Sequence, residues 1–569
     1  MERNEHESAD KEQEDEPKSP PTELQDPDTV EAPGWQAFGS WMVRAESRTD
    51  LEEDGQCTVG DFLGPSEPLL AKLRKRKGQA PPPGSGVAHE TVSYEPLDTP
   101  VWHKRSLAIS REKVRWTRWV SRMVVVAIGV IMSVVSLCVS YASESLLDVK
   151  ISWALRQSAK GSQLGTGFAI FLGMNLLFAV CAFLPVAYRV NSAGSGIAEA
   201  KAVLNGVVIP QCTDLTTAAC KAVSAIFAVA ASLPVGLEGP LIFIGLCLGE
   251  NASWFIPRKH ALLRTDRARR DFAAVGTAAG VSNAFYAPVG GVSLAMEEGA
   301  SFWSVLLMWK YFAAACVTLF VTYFWVVWLS NDFSDPIDFA TVAKFSGLGR
   351  ITDSLYPPFF VVFASVGIVV GLLGATFVNL NRKLALWRRQ IVVGQVRKFA
   401  EVLFISVIMS ILVWWLPSAL SVCNDIASTA VEDKSAFRQY ECPDGQYNEL
   451  ATLLLNDAGS VGINLLFHEA KDSFHTSTCV LAGCVYLVML IFLFGSAIGM
   501  GIFVPLLFVG TCFGRAFETW AIAWGAEASA STMAIVGATA IAGVTRVLIS
   551  IGDSSVLLCR PLYAGYHCC

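Results

Sequence analysis

From residue 119 onward the chain alternates long apolar runs with short charged loops. WVSRMVVVAIGVIMSVVSLCVSYA (119–142) and WKYFAAACVTLFVTYFWVVWL (309–329) reach the roughly 20 apolar residues that a hydrocarbon core requires of a crossing helix. Other apolar runs are too short or too rich in glycine to cross unaided. NSAGSGIAEAKAVLNG (191–206), GLEGPLIFIGLCLG (236–249) and SAIGMGIFVPLLFVG (496–510) share one form, a glycine-containing non-helical stretch leading into an apolar helix. Irregular backbone at membrane depth is tolerated only where it is buried in protein or lines a cavity. The pattern predicts an all-α polytopic membrane protein with interrupted helices.

Composition agrees. Hydrophobic residues make up 53% of the 569 positions and charged residues 17%, against about 25% charged in soluble domains. Mean hydropathy is +0.44. These values exclude a soluble protein in which GLEGP would be an ordinary polar loop. The net charge of −6 is segregated along the chain. Residues 1–35 are acidic and proline-rich and are expected to be disordered. The basic run KLRKRK (72–77) precedes the flexible APPPGSG (80–86) and reads as a solvated tail, with contact to anionic lipid as the alternative. SEPLLA (66–71) has a faint likeness to an acidic dileucine sorting signal. No hydrophobic run opens the sequence, so no cleaved signal peptide is expected.

Basic loops set the expected orientation. Lys104, Arg105, Arg111, Lys113, Arg115 and Arg118 precede the first span and place the N-terminus in the cytosol. RKHALLRTDRARR (258–270) and RKLALWRRQ (382–390) should also be cytosolic, and the acid-rich loops 331–339 and 421–475 should face outward or into a lumen. Of the fifteen cysteines, those in apolar runs (Cys138, Cys181, Cys247, Cys316, Cys484, Cys512) read as small packing residues. Cys423 and Cys442 bracket the long outward loop, where oxidation is allowed, which leaves a disulfide between them open. No spacing resembles a zinc site and no cofactor loop or catalytic triad pattern is present, so neither a metal, a cofactor nor enzymatic activity is expected, and no nucleic-acid partner. The NAS sequon (251–253) falls near a cytosolic loop and should go unused. The terminal HCC (567–569) fits no prenylation pattern.

Glu238 in GLEGP is the chemical anomaly. An ionised carboxylate at membrane depth is expensive and marks a functional hypothesis, with a buried but inert acid as the bland alternative. Helix N-termini carry unpaired N–H groups and a positive dipole end, and together these bind anions. Three such termini in one chain can converge on one dehydrated anion. Discontinuous helices meeting at a midplane site are the recurrent plan of secondary transporters.

GSGIA (194–198), GLEGP (236–240) and GIFVP (501–505) occur in that order. They resemble the three anion-site signatures of the CLC chloride channel and transporter family, usually written GSGIP, GKEGP and GxFxP. RDFAAVGTAAGVSNAFYAPVGGVSLAMEEGASFW (270–303) and ECPDGQYNELATLLLN (441–456) resemble the endolysosomal exchangers of that family, and the likeness runs from about residue 95 to 550. It implies a CLC-type fold of broken, tilted helices in inverted repeats. It also implies that Ser195 offers its hydroxyl to a central chloride, with Gly194 and Gly196 permitting the tight turn, and that the amides of Ile502 and Phe503 face the same ion. Gly236, Gly239, Pro240, Gly501 and Pro505 would shape the motifs. Glu238 would be the gating acid, and Glu298 the internal proton-transfer acid that exchangers keep and channels generally lack. Glu297 would be structural, since neighbours on a helix point about 100° apart; a solvated helix end for both acids is the alternative.

Three departures qualify the likeness. Leu237 stands where the family has lysine and Ala198 where it has proline, the latter relaxing a helix start that proline favours but does not require. After residue 550 the likeness stops, so the family's final helices, its chloride-coordinating tyrosine and its paired CBS domains are expected to be missing; Tyr563 and Tyr566 do not take the tyrosine's place. The expected organisation is therefore a cytosolic disordered region (1–100), a CLC-type membrane domain (101–550) and a divergent tail (551–569). The resemblance implies proton-coupled chloride antiport, with a passive voltage-gated chloride channel and a transport-incompetent membrane interaction subunit as alternatives. The implied partners are chloride, protons, membrane lipids and a second copy in a two-fold homodimer held by the segments around 288–326. An accessory subunit is left open. An endosomal, lysosomal or vacuolar membrane is favoured over the plasma membrane.

Overall fold

The computed structural model describes residues 111–541 apart from 160–163, 258–259, 261–262, 300–303, 331–356, 421, 427–433, 469–472 and 524–529. The expected regions 1–100 and 551–569, and the acid-rich loop 331–339, lie outside the described residues. The first half of the chain forms α1 (Arg111–Ala159), α2 (Leu164–Tyr188), α3 (Ile197–Leu204), α4 (Leu215–Ala230), α5 (Glu238–Ala252), α6 (Asp266–Phe285), α7 (Pro288–Leu294) and α8 (Val305–Ser330). The second forms α9 (Pro357–Ile391), α10 (Gln395–Ala419), α11 (Glu449–Leu455), α12 (Ile463–His468), α13 (Thr476–Leu493), α14 (Phe503–Ala523) and α15 (Ala530–Ala540).

Six of these helices, α1, α2, α8, α9, α10 and α13, are long and apolar enough to cross a membrane. Apolar side chains on them stay exposed, Leu306 at 79% and Leu372 at 63% among them, as suits a surface meeting lipid tails rather than water. The run 119–142 continues without a break into SESLLDVKISWALRQ, giving α1 49 residues, about 70 Å at 1.5 Å per residue.

The interrupted segments fold as their pattern predicts. The GSGIA, GLEGP and GIFVP stretches lead into α3, α5 and α14. α5 is apolar all round and almost wholly buried, as expected of a helix enclosed by others. The two halves repeat one plan: GLEGPLIFIGLCLGE (236–250) and GIFVPLLFVGTCFGR (501–515) each follow an apolar helix, α4 or α13, and each carries proline as the third residue of the helix it opens. Proline suits that first turn because its missing N–H would have no helical partner there. Each of these helices then meets the next backbone to backbone. A Cβ added at Gly276 of α6 would lie 2.0 Å from the Gly245 carbonyl of α5, and one at Gly514 of α14 would lie 2.1 Å from the Met533 carbonyl of α15.

One local expectation changes. Glu297 and Glu298 lie in a π-helical segment, Ala295–Gly299, rather than on a regular α-helix. Such segments widen the turn locally and occur often at functional sites.

The loop between α10 and α13 is anchored rather than free. Strands β1 (Cys423–Asp425) and β2 (Gln446–Asn448) pair antiparallel, and a Cys423–Cys442 disulfide with Cα atoms 5.9 Å apart closes the loop. The Tyr440 hydroxyl donates to the Trp414 carbonyl (2.7 Å) and the Asn448 amide to the Pro417 carbonyl (3.1 Å), tying the loop to the end of α10. Fully buried Glu449 accepts from the Asn424 side-chain amide at 2.7 Å and the His475 backbone at 2.8 Å. Cys423→Ser should therefore cost about 3 kcal/mol of stability. Thermal unfolding of the detergent-solubilised chain checks this: reductant should lower the native transition to that of the variant and leave the variant unmoved.

Candidate functional site

The three signature stretches are laced together through their main chains. Gly194 donates its N–H to the Ile498 carbonyl (2.8 Å), and the Met500 N–H donates back to the Gly194 carbonyl (3.2 Å). Gly236 and Gly501 exchange both bonds, at 3.0 and 2.8 Å. Non-helical backbone buried in a membrane protein must find such partners internally, and here each broken segment supplies those of another. Gly194 and Gly196 have φ of 67° and 80°, in the left-handed region that glycine enters freely.

α4 braces this junction with two polar side chains. Fully buried Lys221 donates to the carbonyls of Ala193 (2.9 Å) and Gly194 (3.0 Å), with its ammonium 4.6 Å above the Phe243 ring. One turn on, the Ser224 hydroxyl donates to the Ala182 carbonyl and accepts from the Gly499 N–H, both at 2.7 Å. The GSGIA loop and the loop before GIFVP thus hang from one helix.

Glu238 is the first residue of α5 and is buried. Its carboxylate folds back over its own motif. A Cβ at Gly236 would lie 2.1 Å from Oε2, and one at Gly501 would lie 3.1 Å from Oε2 and 2.8 Å from the Gly236 carbonyl, so the acid and the two motif backbones pack closely together. The carboxylate faces the amides of Glu238 itself, Leu237 and Val504, while Oε2 is buried and accepts no hydrogen bond. The acid therefore sits where the N-termini of α5 and α14 meet. Asp457 is close enough to act on it electrostatically.

The other expected residues are placed as follows. Ser195 is half-buried, takes the Ile197 N–H on its Oγ at 3.4 Å, and packs beneath Gly239, where an added Cβ would lie 2.9 Å from its own. Ser195 and the Glu238 motif are thus in contact. Phe503 opens α14 directly after Ile502, with its ring edge-on to Phe285 at 6.1 Å. Pro240 and Pro505 are buried in the first turns of α5 and α14. Glu298 lies in the π segment, and its side chain is outside the described residues. Gly299 of that segment lines a small cavity with Ile197, Ala200, Leu204, Ile242 and Phe503, so the segment borders the side of the junction formed by α3 and the start of α14. Lys221, Ser224, Asp457 and the Val504 amide were not expected from sequence. A lysine as the lone charged residue of LTTAACKAVSAIFAVA was the available signal for the first.

Residues 175–552 match the profile of a family described as voltage gated chloride channel. The chain belongs to that family. It is 32% identical to chloride channel protein C of Dictyostelium discoideum over 442 residues, 74% of this chain and 57% of that protein. It is 30% identical to chloride channel protein CLC-b of Arabidopsis thaliana over 493 residues, 82% of this chain and 62% of that one. Identity to the H(+)/Cl(-) exchange transporter 7 of Homo sapiens is 29% over 487 residues, 82% of this chain and 59% of the relative. The chain thus spans less than two thirds of the length of these CLC relatives. Its fold matches the crystal structure of a eukaryotic CLC transporter with a TM-score of 0.56 at 21% identity, covering 78% of this chain and 72% of the other. A slow cyanobacterial Cl-/H+ antiporter matches at 0.54 and 17% identity, covering 77% and 93%. The architecture is therefore the all-α CLC fold, and the chain is a membrane protein.

The CLC junction's dependence on α4 can be measured. Lys221→Met strands the Ala193 and Gly194 carbonyls and should cost about 1–3 kcal/mol, seen as a lowered thermal transition in detergent. A surface lysine such as Lys383, changed in the same way, should leave the transition unmoved.

Proposed function

We propose that the chain exchanges chloride for protons across a membrane, with residues 101–550 as the transport unit. The observation that carries this reading is the buried Glu238 carboxylate folded onto the joint N-termini of α5 and α14. Such termini bind anions, and a carboxylate is one. Chloride and Glu238 then compete for the same amides. Chloride arriving displaces the side chain, and a proton reaching the carboxylate neutralises it and weakens its hold. One acid links the two ions because both act on its occupancy of one place.

In this reading Ser195 and the amides of Ile502 and Phe503 hold chloride on one side of the acid, and Val504 shares its amide with the carboxylate. Gly194, Gly196, Gly236, Gly239 and Gly501 let the backbones close around it, while Pro240 and Pro505 start the helices whose ends do the binding. Glu298, in the π segment whose Gly299 lines the cavity that reaches Phe503, delivers protons from the other face. Leucine at position 237 leaves the motif without the lysine usual in CLC signatures, so steering of anions there depends on the helix termini. The names of the human and cyanobacterial relatives, an H(+)/Cl(-) exchange transporter and a Cl-/H+ antiporter, are in line with this coupling. The proposed assembly is a two-fold homodimer in lipid, each subunit with its own pathway, in the membrane of an acidic endosome or lysosome with the N-terminus in the cytosol.

Reconstitution into vesicles under a chloride gradient tests the proposal. The wild-type chain should drive protons uphill as chloride flows, and Glu238→Ala should abolish proton movement to the level of protein-free vesicles while anions still pass. Chloride flux without proton movement in the wild type would instead make the chain a passive channel.

A further inference from the structure

We propose that Lys150 is a positioning residue for Glu238, holding the turn at Ser232 in the backbone conformation from which the GLEGP stretch is hung. The proposal rests on Glu238 being the coupling acid.

Lys150 lies on α1 and is 0% exposed. Among the described residues it makes no ion pair. Its ammonium donates instead to the Ala230 carbonyl (2.5 Å), the Ser232 hydroxyl (2.6 Å) and the Asn175 side-chain oxygen (2.8 Å), and lies 4.9 Å above the Phe171 ring. The three protons of the group thus have three acceptors, which is what makes a buried cation tolerable. Ala230 is the last residue of α4, so the charge sits at the negative end of that helix. Asn175 of α2 is held in turn by the Ser410 hydroxyl of α10 at 2.8 Å, so three long helices brace one ammonium.

What that ammonium grips is strained. Ser232 has φ of 52°, a left-handed conformation that side chains other than glycine rarely adopt. Leu233, Pro234, Val235, Gly236 and Leu237 then separate it from Glu238. This segment has little slack: Val235 donates to the Leu233 carbonyl at 2.8 Å, Pro234 has a fixed φ, and Gly236 is bonded to Gly501. A change in the turn at Ser232 therefore passes directly into the placement of Glu238.

The other half of the molecule provides the comparison. There a buried cation from a long helix, Arg388 of α9, donates to the Phe494 carbonyl at 2.6 Å and to that of Phe492, at the end of α13 before GIFVP. The residue that follows with positive φ is Gly495, at 90°. Glycine takes that conformation without help. In the first half the corresponding place is filled by serine, and the ammonium holds its side chain directly. That bond to the hydroxyl is the feature a merely space-filling lysine would not need.

The experiment compares wild type, Lys150→Met, Ser232→Gly and Lys150→Met/Ser232→Gly, all in the full chain. Hydrogen exchange of the peptide spanning 231–238 reads the turn without reference to transport, and the proton-to-chloride ratio in vesicles reads its consequence. Lys150→Met should speed exchange in that peptide about tenfold and lower the proton-to-chloride ratio severalfold while chloride still passes. Adding Ser232→Gly should restore both, because glycine adopts the turn unaided. Unchanged exchange in Lys150→Met, or a double variant that stays fast-exchanging or uncoupled, overturns the proposal. If Lys150→Met alone fails to fold, the double variant decides, since it must fold and protect the peptide as wild type does. A wild-type chain that passes chloride without protons refutes the exchange reading, and the hydrogen-exchange arm still decides the positioning role.

Discussion

Backbone polar groups that leave a helix inside a membrane must still be paired, and this structure meets that demand by pairing the breaks with one another. The Gly236–Gly501 exchange of bonds and the Gly194 bonds to Ile498 and Met500 satisfy the carbonyls and amides that the interrupted helices release. The same pairing aims what is left over. With those groups occupied, the remaining amides at the starts of α5 and α14 face a common point, and the Glu238 carboxylate lies there. The architecture that makes broken helices tolerable and the one that gathers helix-start amides about the Glu238 carboxylate are a single arrangement.

Buried cations hold this junction from behind. Lys150, Lys221 and Arg388 all spend their protons on main-chain carbonyls near helix ends or on neighbouring polar side chains. Arg388 also pairs with Glu401 at 2.5 Å, whereas the two lysines rely on carbonyls, a hydroxyl and an amide. Placing positive charge against helix C-termini stabilises both the charge and the end of the helix. Both halves place a buried cation before a left-handed residue, serine in one turn and glycine in the other.

The sequence announced the junction through residues that have few alternative uses. Glycine and proline inside apolar runs mark breaks, and an acid between two of them is expensive enough to demand a reason, so GLEGP and its companions could be read directly. The paired cysteines of the loop between α10 and α13 were legible as candidates only, because spacing along the chain does not say whether two thiols meet. Residues whose work is done through the main chain were not legible. The Val504 amide has no signature, since every residue but proline carries one. Lys150 lies beyond the apolar run 119–142, in the polar SESLLDVK that continues α1, where nothing in the local sequence marks it as buried. Lys221 shares its helix with threonines and an exposed face, so its burial depended on packing by distant helices. The π segment at Ala295–Gly299 follows from tertiary contacts that local composition does not encode.

The glycine contacts between α5 and α6 and between α14 and α15 have a mechanical consequence. Carbonyl oxygens there stand where a single methyl group would not fit, so neither pair can slide without first separating. The site is mounted on a stiff chassis. A movement of the Glu238 carboxylate that leaves these contacts in place is torsion about its own side-chain bonds, with the reach of one glutamate rather than the travel of a domain.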